Sequence, residues 1–101
     1  MPDEKTPWYV KQNPTLGKAF AQFYQACNEK GALDDKTREL LMAALACVFR
    51  CPHCTKTHIQ KAQEVGATEQ EVTEALLIAA VEGAGTQLYW ASEIFEESLG
   101  E

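Results

Sequence analysis

The run Ala75-Leu76-Leu77-Ile78-Ala79-Ala80-Val81 constrains this chain more than any other segment. It follows Thr68 and Glu71, whose spacing is that of a capping box, so the sequence predicts a helix from Thr68 through about Glu82 that is apolar around its whole circumference. Such a helix needs cover on every side. A chain of 101 residues has room for one modest core. Part of the cover must therefore come from a second copy, and a homo-oligomer is expected.

The same kinds of signal divide the rest of the chain. Asn13 as N-cap and Pro14 in the first turn open a helix on which Leu16, Phe20, Phe23, Tyr24 and Cys27 share one face, with Gly31 as its stop. Asp34 or Asp35 opens a second helix, whose core stripe is Leu41, Ala44, Leu45 and Val48. Pro52 forces a fresh start just after Arg50, because a proline is tolerated in the first turn of a helix and costs a hydrogen bond further in. That third helix runs from about Pro52 to Val65, and Gly66 ends it. Gly83-Ala84-Gly85 reads as a hinge before a last helix, Gln87 to about Ser98, with Leu88, Ala91, Ile94 and Phe95 inward. Residues 1–13, with Pro2, Pro7, Trp8 and Tyr9, read as an extended arm. The expectation is an all-α bundle of about five helices spanning 14–101, with no strand.

Charge and composition exclude several functions. A net charge of −6 and a sequence pI near 4.9 are wrong for gripping a phosphate backbone. The longest apolar run falls far short of the ~20 residues a membrane-spanning helix needs. Met1 to Pro7 carries charge and proline where a signal peptide needs an apolar run, so a cytoplasmic protein is expected. In a reducing compartment, closely spaced cysteines mean redox chemistry or metal binding more often than a structural staple.

The chemistry concentrates in Cys51-Pro52-His53-Cys54 and His58. The two thiols are close enough to bridge, and His58 lies one helical turn beyond Cys54 on the same face. At a helix start, unpaired amides and the helix dipole favour thiolate over thiol, and an imidazole at i+4 can take the proton of Cys54. The reaction this suggests is thiolate attack on an oxidant or disulfide, followed by closure of a Cys51–Cys54 disulfide that an external reductant reopens. Zinc is the competing use: Cys51, Cys54 and His58 supply three ligands and Cys47 or His53 a fourth, though the second, distant ligand pair typical of structural zinc is missing. Glu39 lies on the preceding helix near Ala43 and Ala46, whose small side chains allow close helix approach. Counted along a plain antiparallel hairpin, it sits ~16 Å before the turn and His58 ~9 Å beyond it, so contact requires crossed helices or a bridging water. Taken alone, Glu39 reads as a solvated surface acid, and His53 as an exposed imidazole that tunes the thiols. Cys27 and Cys47 read as buried, unreactive small hydrophobes.

Three segments together resemble a known pattern: Gly31-x-Leu33-Asp34-x-Lys36-x-Arg38-Glu39-Leu40-Leu41, then Cys51-x-His53-Cys54-x-x-x-His58, then Ala62-x-x-x-Gly66-Ala67-Thr68-x-x-Glu71-Val72. The pattern is similar to that of the carboxymuconolactone decarboxylase superfamily, and within it to the AhpD-like alkylhydroperoxidase branch in its compact, single-unit form. The resemblance implies an all-helical fold assembled as trimers or hexamers. It also implies roles: Glu39 and His58 as a proton relay, Cys54 as the peroxidatic thiol, Cys51 as the resolving thiol and His53 as an accessory. Hydrogen peroxide or an organic hydroperoxide would be the substrate, a lipoyl group or thioredoxin-like protein the dithiol reductant, and no bound cofactor is required. The decarboxylase branch of the superfamily works without a redox cysteine pair, so Cys51 and Cys54 argue against it.

Overall fold

The computed structural model describes residues 5–29 and 31–100, and the part of the arm before Lys5 lies outside the described residues. Five α-helices account for the described regular structure: α1 Trp8–Gln12, α2 Pro14–Cys27, α3 Asp35–Val48, α4 Pro52–Glu64 and α5 Glu69–Leu99. They fall into two compact units, one ending at Leu33 and the other beginning at Asp34.

In the first unit, the segment expected to be an extended arm contains the short helix α1. It folds back on α2 because Gly17 leaves room for it: a Cβ at Gly17 would lie 2.5 Å from the Tyr9 carbonyl oxygen and 2.6 Å from the Val10 Cα. The rings of Tyr9 and Phe20 meet edge to face at 5.3 Å. Asn13 caps α2 as expected, its Oδ1 accepting the Leu16 N–H at 3.0 Å. The helix ends at Cys27, short of Gly31, because Asn28 closes it locally: its side-chain amide donates to the Tyr24 carbonyl at 2.9 Å and its backbone N–H to Gln25. Cys27, expected in a core, is exposed, as are Leu16, Phe20, Phe23 and Tyr24.

The second unit carries the thiol motif. Asp34 caps α3 through the Thr37 N–H at 2.7 Å, and the capping box of α5 is complete, with Thr68 and Glu71 each accepting the other's backbone N–H. Glu71 also receives a 2.7 Å hydrogen bond from Lys36, tying the start of α5 to the start of α3. Gly66, at φ +100°, turns the chain out of α4. The buried core consists of small residues, Ala43, Ala44, Ala62, Ala67 and Val72, with Leu40, Ile59 and Leu76 packed beside it. Alanines at Ala43 and Ala62 let the α3 and α4 backbones come close, and that pair of helices makes the most extensive contact in the unit.

Two expectations change here. The glycines at 83 and 85 do not break the chain, and α5 runs unbroken for 31 residues. A glycine stops a helix where the backbone enters the left-handed region, and among the described glycines Gly66 alone does so; within α5 there is also no proline to remove a helical hydrogen bond. The stripes expected to be buried are open on the single chain: Leu41, Leu45 and Val48 on α3, and Leu88, Ile94 and Phe95 on α5, are all about half exposed or more. No described helix is long and apolar enough to cross a membrane.

The caps contribute to the pH dependence of folding. The Asp34 carboxylate is held below its ordinary value, chiefly by the Thr37 N–H, and Glu71 is held low chiefly by the Lys36 ammonium. Lys36 is correspondingly pushed up by Glu71. A depressed carboxylate contributes stability that is present above its unfolded pKa and lost as pH falls through the folded one; the raised lysine contributes below its unfolded pKa and loses that contribution as pH rises through its folded value. Thermal melts should therefore show Tm constant around neutrality and falling below about pH 4.5, the unperturbed value for a glutamate. The acid limb should be shallower in Asp34→Asn and Glu71→Gln.

Candidate active site

The site is built on the α3–α4 pair. Cys51 is the N-cap of α4 and Pro52 its first residue, as the motif requires. The Cys51 Sγ accepts the Cys54 N–H at 3.2 Å, and Thr55 clamps the Cys51 carbonyl with its hydroxyl at 2.8 Å. The two thiols are joined as a disulfide with Cα atoms 5.3 Å apart, and both residues are half-buried. His58 follows Cys54 by one turn on α4 and is buried.

Glu39 is not a surface acid. It is 5% exposed, and its Oε1 lies 2.8 Å from the Nδ1 of His58, which is 8% exposed. The hairpin estimate overstated the gap because α3 ends at Val48, leaving nine residues from Glu39 to the helix end against six from Pro52 to His58. The remaining offset, ~4.5 Å along the axes, is spanned by the two side chains directly. Arg38 flanks the pair: its Nε is 3.7 Å from the second Glu39 oxygen, and its guanidinium is held at 3.0 Å by Asp35.

This arrangement fixes the imidazole. With Nδ1 facing the carboxylate, Glu39 can accept an Nδ1–H, which leaves Nε2 as the nitrogen able to exchange a proton. Four of the residues singled out in the sequence, Glu39, Cys51, Cys54 and His58, are thus gathered on two facing helix segments. His53 is exposed at the protein surface. Among the described residues no three His, Cys, Asp or Glu side chains converge on a metal-sized position, and Cys51 and Cys54 are joined to each other.

Sequence reasoning missed what lies on the other side of Cys51. A pocket of ≈ 600 Å³ opens there, with Cys47, Arg50 and Lys56 in its wall together with Cys51. Cys47, expected to be buried, is partly exposed and carries a free thiol. Its placement i−4 to Cys51 was the available signal; nothing in the sequence marked Arg50.

The fold agrees with comparisons to known proteins. The carboxymuconolactone decarboxylase family profile matches residues 14–97, and this chain belongs to that family. It is similar to an uncharacterised protein of the cox locus of Paracoccus denitrificans, 35% identical over 71 residues, a match that takes in 70% of this chain and 64% of the relative's length. A crystal structure from Methanobacterium thermoautotrophicum superposes with a TM-score of 0.76 at 33% identity, covering 86% of this chain and 98% of the other. A carboxymuconolactone decarboxylase family protein from Legionella pneumophila, solved in its apo form, gives 0.63 at 37% identity, covering 92% and 85%.

Removing one member of the buried pair should be costly. Glu39→Ala would strip His58 of its partner inside the α3–α4 contact, and urea denaturation should show a loss of about 1–3 kcal/mol.

Proposed function

We propose that this protein is a thiol-dependent peroxidase and disulfide oxidoreductase of the AhpD-like branch, acting on hydrogen peroxide or organic hydroperoxides. The observation that carries this reading is the buried Glu39–His58 pair, set one turn along α4 from a cysteine already paired with its neighbour. A structural disulfide needs no proton relay behind it.

In the proposed cycle, His58 takes the proton of Cys54 and Glu39 holds the resulting imidazolium in place. The Cys54 thiolate attacks the near peroxide oxygen; the O–O bond breaks, Cys54 becomes a sulfenic acid, and the departing alkoxide or hydroxide receives a proton from His58. The Cys51 thiol then attacks the Cys54 sulfur, the S–O bond breaks, water leaves, and the disulfide forms. A dithiol, either a lipoyl group or a thioredoxin-like protein, returns two electrons and two protons. His53, at the surface, is an accessory, and no bound cofactor takes part. The uncovered apolar faces of α3 and α5 support assembly into a trimer or hexamer.

Steady-state peroxide consumption with a dithiol reductant tests the cycle. Cys54→Ser should abolish turnover, and Glu39→Gln and His58→Asn should each lower kcat about 10²-fold, the usual range for losing a general base. Full turnover in Cys54→Ser would overturn the assignment of the attacking thiol. An activity that survives replacement of both motif cysteines would point instead to decarboxylase-type chemistry.

A further inference from the structure

The two sulfurs of the motif face different surroundings. Cys54 shares its helix face with His58, whereas Cys51 lines the ≈ 600 Å³ pocket whose wall also includes Arg50, Thr55, Lys56 and Ile59, and Cys54 is not part of that wall. Attack on a disulfide proceeds in line with the S–S bond, from behind the sulfur attacked. Cys51 is thus the motif cysteine that borders the pocket, and a thiolate that attacks its sulfur expels Cys54 as the leaving group.

Cationic residues also border the pocket. On a chain of net charge −6, its wall holds two cations and no carboxylate. Neither Arg50 nor Lys56 forms an ion pair with a described residue. Arg50 has φ 61°, in the left-handed region where a side chain is strained. The comparable turn after α4 uses Gly66 for its left-handed residue. The turn after α3 instead carries an arginine at this position, and that arginine borders the pocket.

We propose that this pocket is the reductant site, and that it selects a small dithiol bearing an anionic group, which Arg50 and Lys56 hold while its thiolate attacks the Cys51 sulfur. The proposal rests on the thiol cycle above and names its second substrate. A bond forms between the reductant sulfur and Cys51, the Cys51–Cys54 bond breaks, and Cys54 leaves as a thiolate that takes a proton on the His58 side. The reductant's second thiol then attacks its own sulfur in the mixed disulfide and closes an internal disulfide. Cys51 is released as a thiolate at the start of α4, where the Cys54 N–H already points at its sulfur at 3.2 Å. Two electrons pass from the dithiol to the protein, and its two protons end on Cys51 and Cys54.

The reduction half-reaction tests this without any peroxide. The oxidised full chain is mixed at low ionic strength with dihydrolipoate or with its uncharged amide, and the growth of reduced protein is followed by alkylation of its thiols and mass spectrometry. The acid should react about three- to tenfold faster, the range expected for two exposed ion pairs. That preference should shrink toward unity at high salt and in the Arg50→Gly/Lys56→Gln variant, whose glycine suits the left-handed backbone. In a second arm, oxidised protein is treated with 3-mercaptopropionate, the freed thiol is alkylated, and mass spectrometry should find the adduct on Cys51 and the alkyl group on Cys54. Equal rates for acid and amide, a preference that persists in the variant, or an adduct on Cys54 would each overturn the proposal. Failure of both dithiols to open the disulfide would instead sink the thiol cycle beneath it, a result distinct from equal rates.

Discussion

A carboxylate and an imidazole, both buried, meet at 2.8 Å between α3 and α4, and the organisation of the second unit follows from making that contact possible. Burying two such groups is unfavourable unless each finds its partner with good geometry. The alanines at 43 and 62 supply that geometry by letting the helices approach closely. Pro52 and Cys51 fix where α4 begins, and hence which turn of the helix carries His58. The thiols then fall at the helix entrance, where amides are free to face sulfur, with the imidazole one turn behind them.

Local signals were the legible part of this structure. Asn13, Asp34 and Thr68 each satisfy an orphan amide within three residues, so their meaning does not depend on anything distant. The Cys51–Cys54–His58 spacing on a helix is of the same kind. What failed depended on tertiary context or on a competing local closure. α1 exists because Gly17, further along the chain, leaves space for it. α2 stops at Asn28 because an amide side chain reached the helix carbonyls before Gly31 did. The glycines of α5 sit within a continuous helix because flexibility permits a break without requiring one. Glu39 looked like a surface residue because its partner is nineteen positions away and invisible to periodicity.

The apolar girdle of α5 was read correctly as a helix needing cover, and the single chain does not provide it. The stripes on α3 and on the far end of α5 were assigned to an internal core and are open on the isolated chain. Periodicity identifies which face is apolar but not what covers it. The small alanine core and the large exposed apolar area are two consequences of one design, in which small side chains draw helices together around the Glu39–His58 pair and leave the bulky ones facing outward.

The account stands on His58, backed by Glu39, making Cys54 the reactive thiol of the reduced protein. Competitive alkylation of the reduced chain near pH 7, with each cysteine followed separately by mass spectrometry, measures this without reference to any substrate. Cys54 should label fastest and lose that advantage in His58→Asn, while Cys27, exposed and remote in sequence from the pair, should be unaffected. Faster labelling of Cys51, or a Cys54 rate indifferent to the loss of the imidazole, would contradict the claim.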